Sequence, residues 1–412
     1  MCSWVTHKRG NTMAEDGKSL KKGKSLAIRQ RTEPVEVSYS PSFQGKAINA
    51  FSSISPSAVK EKAIEQWKKE QSKKPIAEQQ SLFPGEGYKT PVLLVRGEVL
   101  FTVPPWVVFT GRTIQVIRYI IEKFTKAVFQ SRFLTPEERK ACRTVELTIK
   151  EVGKKFDMSD PKAIRAMLNT EINALYEVSA EWMEYVYVKD EKTGKKIKPQ
   201  EATHFTARLI GKKADTVPLT GDTVPVIGEK LPAEIENKKA DFFKRGKATV
   251  TLTEEMAEYL QNSYIFHIAD NFYKIQPKKN PYSVAFYDEI ITCYRNNMNK
   301  IKDNAKEQEE NTVIIKVVTL LAKTDIPKYE DIAKEGRVNQ KIFAKLERDM
   351  DKLQELGLIE KWRYCKTNGV ELSMAEKEKM TYKQFEKYNV KVTMPDNYPR
   401  FNTISEEPTE ES

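Results

Sequence analysis

Between Asn339 and about Leu356 the apolar residues Ile342, Leu346, Met350, Leu353 and Leu356 recur every three or four positions, the spacing of one buried helix face. Ahead of them Ile326-Pro327 opens a shorter predicted helix, Lys328 to Lys334, and Gly336 stands where a helix stops. Gly357 closes the longer helix. The run from Leu358 to Cys365 then reads as a strand. Asn368-Gly369 beyond it signals a tight hairpin turn, with Trp362 and Leu372 as its packed residues.

A similar order occurs earlier in the chain. Gly111 to Val128 predicts a helix with an apolar stripe at Ile114, Ile117, Ile121, Phe124 and Val128. Val145 to Ile149 alternates as a short strand and leads into a helix from Lys150 to Phe156. Ser159 or Asp160 caps the next helix, Pro161 takes its first position, and Ile164, Leu168, Ile172 and Leu175 form its buried face. Glu184 to Lys189, a turn at Lys192-Thr193-Gly194 and a return over His204 to Ile210 supply a hairpin. Ala214 to Asn237, with Thr216-Val217-Pro218 and Thr223-Val224-Pro225, reads as a Pro-rich insertion. A strand at Lys247 to Leu252 enters a helix at Glu254 to Gln261, and Asn280-Pro281 marks a boundary before a long helix from Tyr282 to about Asp303. Two helices followed by a hairpin make a winged helix. The expected fold class is therefore α+β, mostly helical, with two winged-helix domains in tandem at residues 91–278 and 279–396. A disordered basic N-terminal arm, residues 1–90, precedes them, with a short charged helix around Trp67, and an acidic disordered tail, 397–412, follows.

Charge turns this architecture toward nucleic acid. The chain has 412 residues and a formal net charge of +11, which favours an anionic partner. Lys341, Lys345, Arg348 and Lys352 converge on one face of the long helix, away from its apolar stripe. Asn339, Gln340 and Lys341, at the helix start, are placed for base edges in a major groove, whereas Arg363 and Lys366 near the hairpin tip suit phosphates. Lys162, Arg165 and Asn169 form the corresponding face of the first unit. The plainer reading is a solvated helix face, since Glu347, Asp349, Asp351 and Glu355 share the long helix with those cations.

Other classes find less support. Cys2, Cys142, Cys293 and Cys365 are far apart and form no CxxC pair, against a disulfide framework or zinc cluster and in keeping with a reducing cytoplasm. No apolar run approaches the roughly 18 residues of a membrane span. Only His7, His204 and His267 are present, with no His-hydrophobic-His pair and no GxxxxGK[ST] loop. The expectation is a binding protein, not an enzyme, with no cofactor and no metal.

One motif in the arm stands apart. Gln79-Gln80-Ser81-Leu82-Phe83 resembles the pentapeptide by which bacterial proteins dock on the replicative sliding clamp, with Gln79, Leu82 and Phe83 as contacts and Gln80 departing from the frequent Leu. The plainer reading is that Leu82 and Phe83 tuck against the protein itself. The tandem layout, with Ile326 to Ile332, Leu346-Glu347-Arg348-Asp349-Met350 and Leu356-Gly357-Leu358-Ile359, resembles plasmid replication initiators of the iteron-binding type. The resemblance covers roughly residues 95 to 395 as architecture and about 326 to 372 at motif level. It implies a plasmid or phage initiator in the cytoplasm, bound to double-stranded origin repeats through the helix Asn339 to Leu356. The first unit would contact DNA or form a homodimer, and the host sliding clamp and helicase-loading proteins would be partners. The insertion at Ala214 to Asn237 departs from the compact family pattern. A winged-helix transcriptional regulator without a replication role is the alternative, though it would normally carry a ligand or dimerisation domain in place of a second unit.

Overall fold

Residues 39–72 are folded, where the sequence predicts a disordered arm with only a short helix around Trp67. The computed structural model describes residues 37–72, 91–130, 143–189, 196–210, 243–301, 311–326 and 339–399, apart from isolated positions within those stretches. The first strand, β1 (Tyr39–Gln44), pairs antiparallel with a later strand, Tyr264–Ala269. Helix α1 (Lys46–Phe51) buries Ala47, Ile48 and Phe51, and α2 (Pro56–Ser72) matches the charged helix expected around Trp67. The polarity of β1 hid it. Ser40 and Gln44 are buried there because Lys126 and Arg118 donate hydrogen bonds to them.

Strands β2 (Val92–Arg96) and β3 (Val99–Val103) turn Val92, Leu94, Val99, Phe101 and Val103 inward, the alternation of a half-buried sheet. Helix α3 (Gly111–Gln130) is buried almost all round. The expected Ile114, Ile117, Ile121 and Phe124 lie inside, but so do Gln115, Arg118, Glu122 and Thr125. Strand β4 (Thr144–Thr148) runs into α4 (Ile149–Phe156), whose start is closed by a reciprocal Thr148–Glu151 capping box. Helix α5 (Pro161–Tyr176) begins as expected: the Asp160 side chain accepts from the Lys162 N–H at 2.9 Å and Pro161 opens the first turn. Between the two helices Asp157 is left-handed at φ 52°, and the Met158 N–H bonds the Gly153 carbonyl at 2.9 Å. A Cβ on Gly153 would lie 2.8 Å from the Met158 carbonyl oxygen, so the close α4–α5 turn needs glycine at that position.

The hairpin expected after α5 forms from β5 (Ser179–Lys189) and β6 (Lys196–Arg208), but it belongs to another sheet, β2-β3-β5-β6. The neighbour of β4 is β8 (Lys247–Thr251), with β7 (Phe243–Lys244) outside it, giving the order β4-β8-β7. Helix α6 (Glu254–Gln261), β9 (Tyr264–Ala269) and a 3-10 turn at Asp270–Lys274 lead to α7 (Ser283–Ile301). The chain continues through β10 (Thr312–Lys316) and α8 (Val317–Ala322) to a π-type turn, Asn339–Phe343, and α9 (Ala344–Glu355). After β11 (Lys361–Cys365) come α10 (Met374–Glu378), α11 (Tyr382–Phe385) and β12 (Asn389–Thr393), and the sheet order is β10-β12-β11. Both halves therefore share a plan. A helix, a strand and further helices are followed by two strands, the last of which enters the middle of the sheet.

The turn at Asn368-Gly369 exists, with Gly369 at φ 83° and the Lys366 N–H bonded to the Val370 carbonyl at 2.9 Å. Its return is a single bridge, Cys365 to Glu371, so the expected hairpin is corrected: the lasting partner of β11 is β12. Trp362 is buried and Leu372 is half-buried against the same core, as expected. The tail also begins later than residue 397. Tyr398 is buried, edge-on to Tyr39 at 5.1 Å, with its hydroxyl donating to the His267 carbonyl at 2.9 Å. The predicted helix Lys328–Lys334, the insertion Ala214–Asn237 and the tail from residue 400 lie outside the described residues.

Val35–Ser412 forms one compact unit, and α3 ties much of it together through buried polar contacts. Gln115 Nε2 donates to the carbonyls of Phe272 and Ile275, at 2.7 and 3.2 Å. Arg118, fully buried, donates to Gln44 of β1 and to Asp288 of α7, which forms its ion pair. Glu122 accepts from the Tyr273 hydroxyl at 2.8 Å and from Lys126 and Lys155 at 2.8 and 3.0 Å. Buried charges of this kind persist only when paired and hydrogen-bonded. No helix among the described residues is long and apolar enough to cross a membrane.

Candidate nucleic-acid interface

The π-type turn, with Lys341, and helix α9, with Lys345, Arg348 and Lys352, present the cations the sequence singled out on their outer side. Ile342, Leu346, Met350 and Leu353 are buried, which turns Lys341, Lys345, Arg348 and Lys352 away from the core. Ala344, exposed among them, leaves a low contour. The four are not equivalent. Lys345 Nζ sits 6.0 Å from the centre of the Tyr282 ring. Arg348 donates to Asp349 Oδ2 at 2.8 Å while half its side chain stays exposed. Lys352 is paired with Glu355 at 2.7 Å and is 23% exposed, against 49% for Arg348, so the more exposed cationic groups lie ahead of it.

The acids on α9 are turned to other tasks. Asp349 is fully buried and caps α7, accepting from the N–H groups of Tyr282 and Ser283 at 3.0 and 2.8 Å. Glu347 meets Lys377 at 3.1 Å, and Asp351 accepts from the Trp362 indole at 2.9 Å. Asn339 and Gln340 fall in the π-type turn that precedes α9, a local widening often found at functional sites.

On the adjoining sheet, Arg363 of β11 stands directly opposite Lys391 of β12, and Lys391 is opposite Ile314 of β10. Like charges in direct cross-strand register are destabilising, so this pair marks a place suited to an anion. Sequence reasoning missed Lys391, although the alternation Val390-Lys391-Val392 carried the signal. Lys366 departs from expectation. It is engaged by Glu376 at 2.8 Å, so it does not project unpaired beside Asn368-Gly369. The hydrogen bond from Lys366, then those from Ser373, push the Glu376 carboxyl down to about 2, and Glu376 in turn raises Lys366. With its carboxyl lowered, the ion pair is present above the ordinary carboxylate range and dissolves as pH falls toward 2; with its amine raised, it also dissolves at strongly alkaline pH.

In the first half, Lys162 and Arg165 are exposed on α5 and Asn169 is half-buried, its carbonyl accepting from Asn173 Nδ2 at 2.7 Å. The three share one helix face, as expected. Gln79, Leu82 and Phe83 lie outside the described residues. Among the described residues no group of three or more His, Cys, Asp or Glu side chains is gathered for a metal.

No protein-family model matches the chain, and no curated protein matches it. Among solved structures, a selenomethionine derivative of domains 2 and 3 of RctB aligns with 74% of this chain and 90% of its own, at 10% identity and a TM-score of 0.33. Another structure of RctB domains 2–3 aligns with 63% of this chain and 76% of its own, at 11% identity and a TM-score of 0.22. Neither is similar enough to establish a shared fold.

Proposed function

We propose that this protein is a sequence-specific, double-stranded DNA-binding initiator of plasmid or phage replication, built on two winged-helix units. The observation that carries the reading is the outer side of α9 and of the turn before it, where Lys341, Lys345 and Arg348 flank an exposed Ala344, while Glu347 meets Lys377, Asp351 accepts from the Trp362 indole, and the buried Asp349 caps α7 as well as pairing with Arg348. A second support is the repeated plan, in which both small sheets run first, last, middle strand beside a set of helices. In this reading α9 enters a major groove, Arg363 and Lys391 meet phosphates, and α5 brings Lys162, Arg165 and Asn169 to a second stretch of DNA or to a second copy of the chain. Its role is binding, without catalysis or a cofactor. Footprinting on the DNA that flanks its own coding region tests the proposal. Protection of short tandem repeats is the expected result, and protection of one isolated promoter-like site would favour the transcriptional regulator instead.

Because Glu376 engages Lys366, removing that acid should add a phosphate contact. Glu376→Gln is expected to strengthen binding to all DNA sequences alike and to steepen log K against log salt by about one unit. Equal salt slopes in the variant and the parent would remove Lys366 from the interface.

The motif in the arm gives a separate expectation. Leu82→Ala/Phe83→Ala should leave thermal stability and DNA affinity intact and abolish binding of a peptide spanning residues 73–87 to purified bacterial sliding clamp. Paired apolar anchors of this sort typically carry about 2 kcal/mol or more. Equal binding by parent and variant peptides, or none by either, would leave Leu82 and Phe83 as a tether of the protein itself.

A further inference from the structure

The turn that joins the two halves is held from both sides. On one side Gln115 of α3 binds the Phe272 and Ile275 carbonyls, and Pro277 packs so closely on Gly111 that a Cβ there would meet its ring at 3.1 Å. The Lys279 and Asn280 N–H groups both bond the Gln276 carbonyl, at 3.0 and 2.9 Å, closing a tight turn with Pro277 at its second position. On the other side Asp349 of α9 caps the start of α7 at Tyr282 and Ser283. A segment pinned by α3 and by α9 has little backbone freedom left to lose on binding.

Lys278 and Lys279 are exposed on this turn, and neither side chain has an ion-pair or hydrogen-bond partner among the described residues. An exposed lysine alone is a solvated charge, so placement has to decide. The two line one cleft with Ala163, Ala166 and Thr170 of α5. Ala166 lies one helical turn from Lys162 and one from Asn169, on the face already singled out. Toward the other half, Lys279 is three residues from Tyr282, so roughly 11 Å of chain at most separates it from the ring under Lys345 of α9. The B-form major groove is about 12 Å wide, so cations at that remove from a helix seated in it face the bounding phosphates. The acids in the cleft wall, Asp157 and Glu171, are fewer than its cations, Arg112, Lys278, Lys279 and Lys323.

We propose that Lys278 and Lys279 clamp the phosphate backbone of the duplex between α5 and α9, so that both helices engage one DNA molecule at a fixed spacing. This rests on the reading of α9 as a DNA-contacting helix. It goes beyond that reading by placing the first half on the same duplex and not against a second copy of the chain. The clamp positions the DNA and carries no sequence preference of its own.

The test compares Lys278→Ala/Lys279→Ala with the parent, as full chains, on the DNA that flanks the coding region and on an unrelated duplex of equal length. Both affinities should fall by about tenfold or more near 0.1 M salt, and log K against log salt should become shallower by roughly two units. Lys68→Ala/Lys69→Ala, at exposed positions of α2, lowers the net charge equally and should change neither quantity. Hydroxyl-radical footprinting should show the parent protecting backbone on both sides of a central stretch, and the Lys278/Lys279 variant losing protection of that stretch alone. If the parent binds DNA and depends on the α9 cations, yet the Lys278/Lys279 variant keeps its slope and footprint, the clamp is overturned and the α9 reading stands. Equal losses in the two lysine variants would assign the effect to net charge and likewise overturn the clamp. A parent without salt-dependent DNA affinity would overturn both.

Discussion

Asp288→Ala should destabilise the protein by about 3–5 kcal/mol, the usual cost of removing one partner from a buried ion pair. Arg118 is fully buried, and Asp288 supplies the one carboxylate in its ion pair; Gln44 and Ser52 offer only neutral oxygens, and Phe266 offers a ring face at 5.1 Å. Without Asp288 the buried guanidinium is left with no carboxylate partner. The ion pair also joins α3 to α7, so breaking it loosens one half of the chain from the other. Arg118→Met/Asp288→Leu should restore most of the stability, because apolar groups of similar volume need no partner. Urea unfolding reads both effects through the midpoint at unchanged m-value. A destabilisation below about 1 kcal/mol in the single variant would mean that water reaches Arg118 and that this seam does not hold the halves together.

The buried seam on α3 is also where the sequence was hardest to read. Helical periodicity located α3 and its apolar stripe correctly, since Ile114, Ile117, Ile121 and Phe124 are all buried. It said nothing of Gln115, Arg118 and Glu122, because pattern reading cannot see partners that arrive from Phe272, Asp288 and Tyr273 more than 140 residues later. β1 failed for the same reason: its polar side chains are buried by tertiary hydrogen bonds, which leave no mark in local alternation. The hairpin after Asn368-Gly369 failed differently. Ser373 with Glu376, and Thr381 with Gln384, form capping boxes that start two short helices just after Leu372, and the return ahead of them is only the Cys365–Glu371 bridge. Those spacings were present in the sequence, and the strong Asn-Gly turn signal overshadowed them.

The candidate site was legible in outline. The buried stripe of α9 fixed which side faces outward, so Lys341, Lys345 and Arg348 were found from spacing alone. What spacing could not give was pairing. Lys352 is engaged by Glu355 and Lys366 by Glu376, whereas Lys391 entered the site only through strand register. The structure thus redistributes the positive charge toward the start of α9 and the Arg363–Lys391 pair.

The second large effect follows from that redistribution. Lys341→Ala/Lys345→Ala/Arg348→Ala removes three cations, of which Arg348 also pairs with the buried Asp349 and Lys345 lies over Tyr282, and should weaken DNA binding by roughly two orders of magnitude near 0.1 M salt. Lys352→Ala, already paired, should change affinity little. The decisive measurement is the salt dependence of DNA affinity for the parent and the triple variant on the DNA that flanks its coding region. The account predicts that log K against log salt becomes shallower by roughly 2 to 3 units in the triple variant, about one unit for each phosphate no longer neutralised. An unchanged slope and affinity would contradict the assignment of α9 as the DNA-contacting helix.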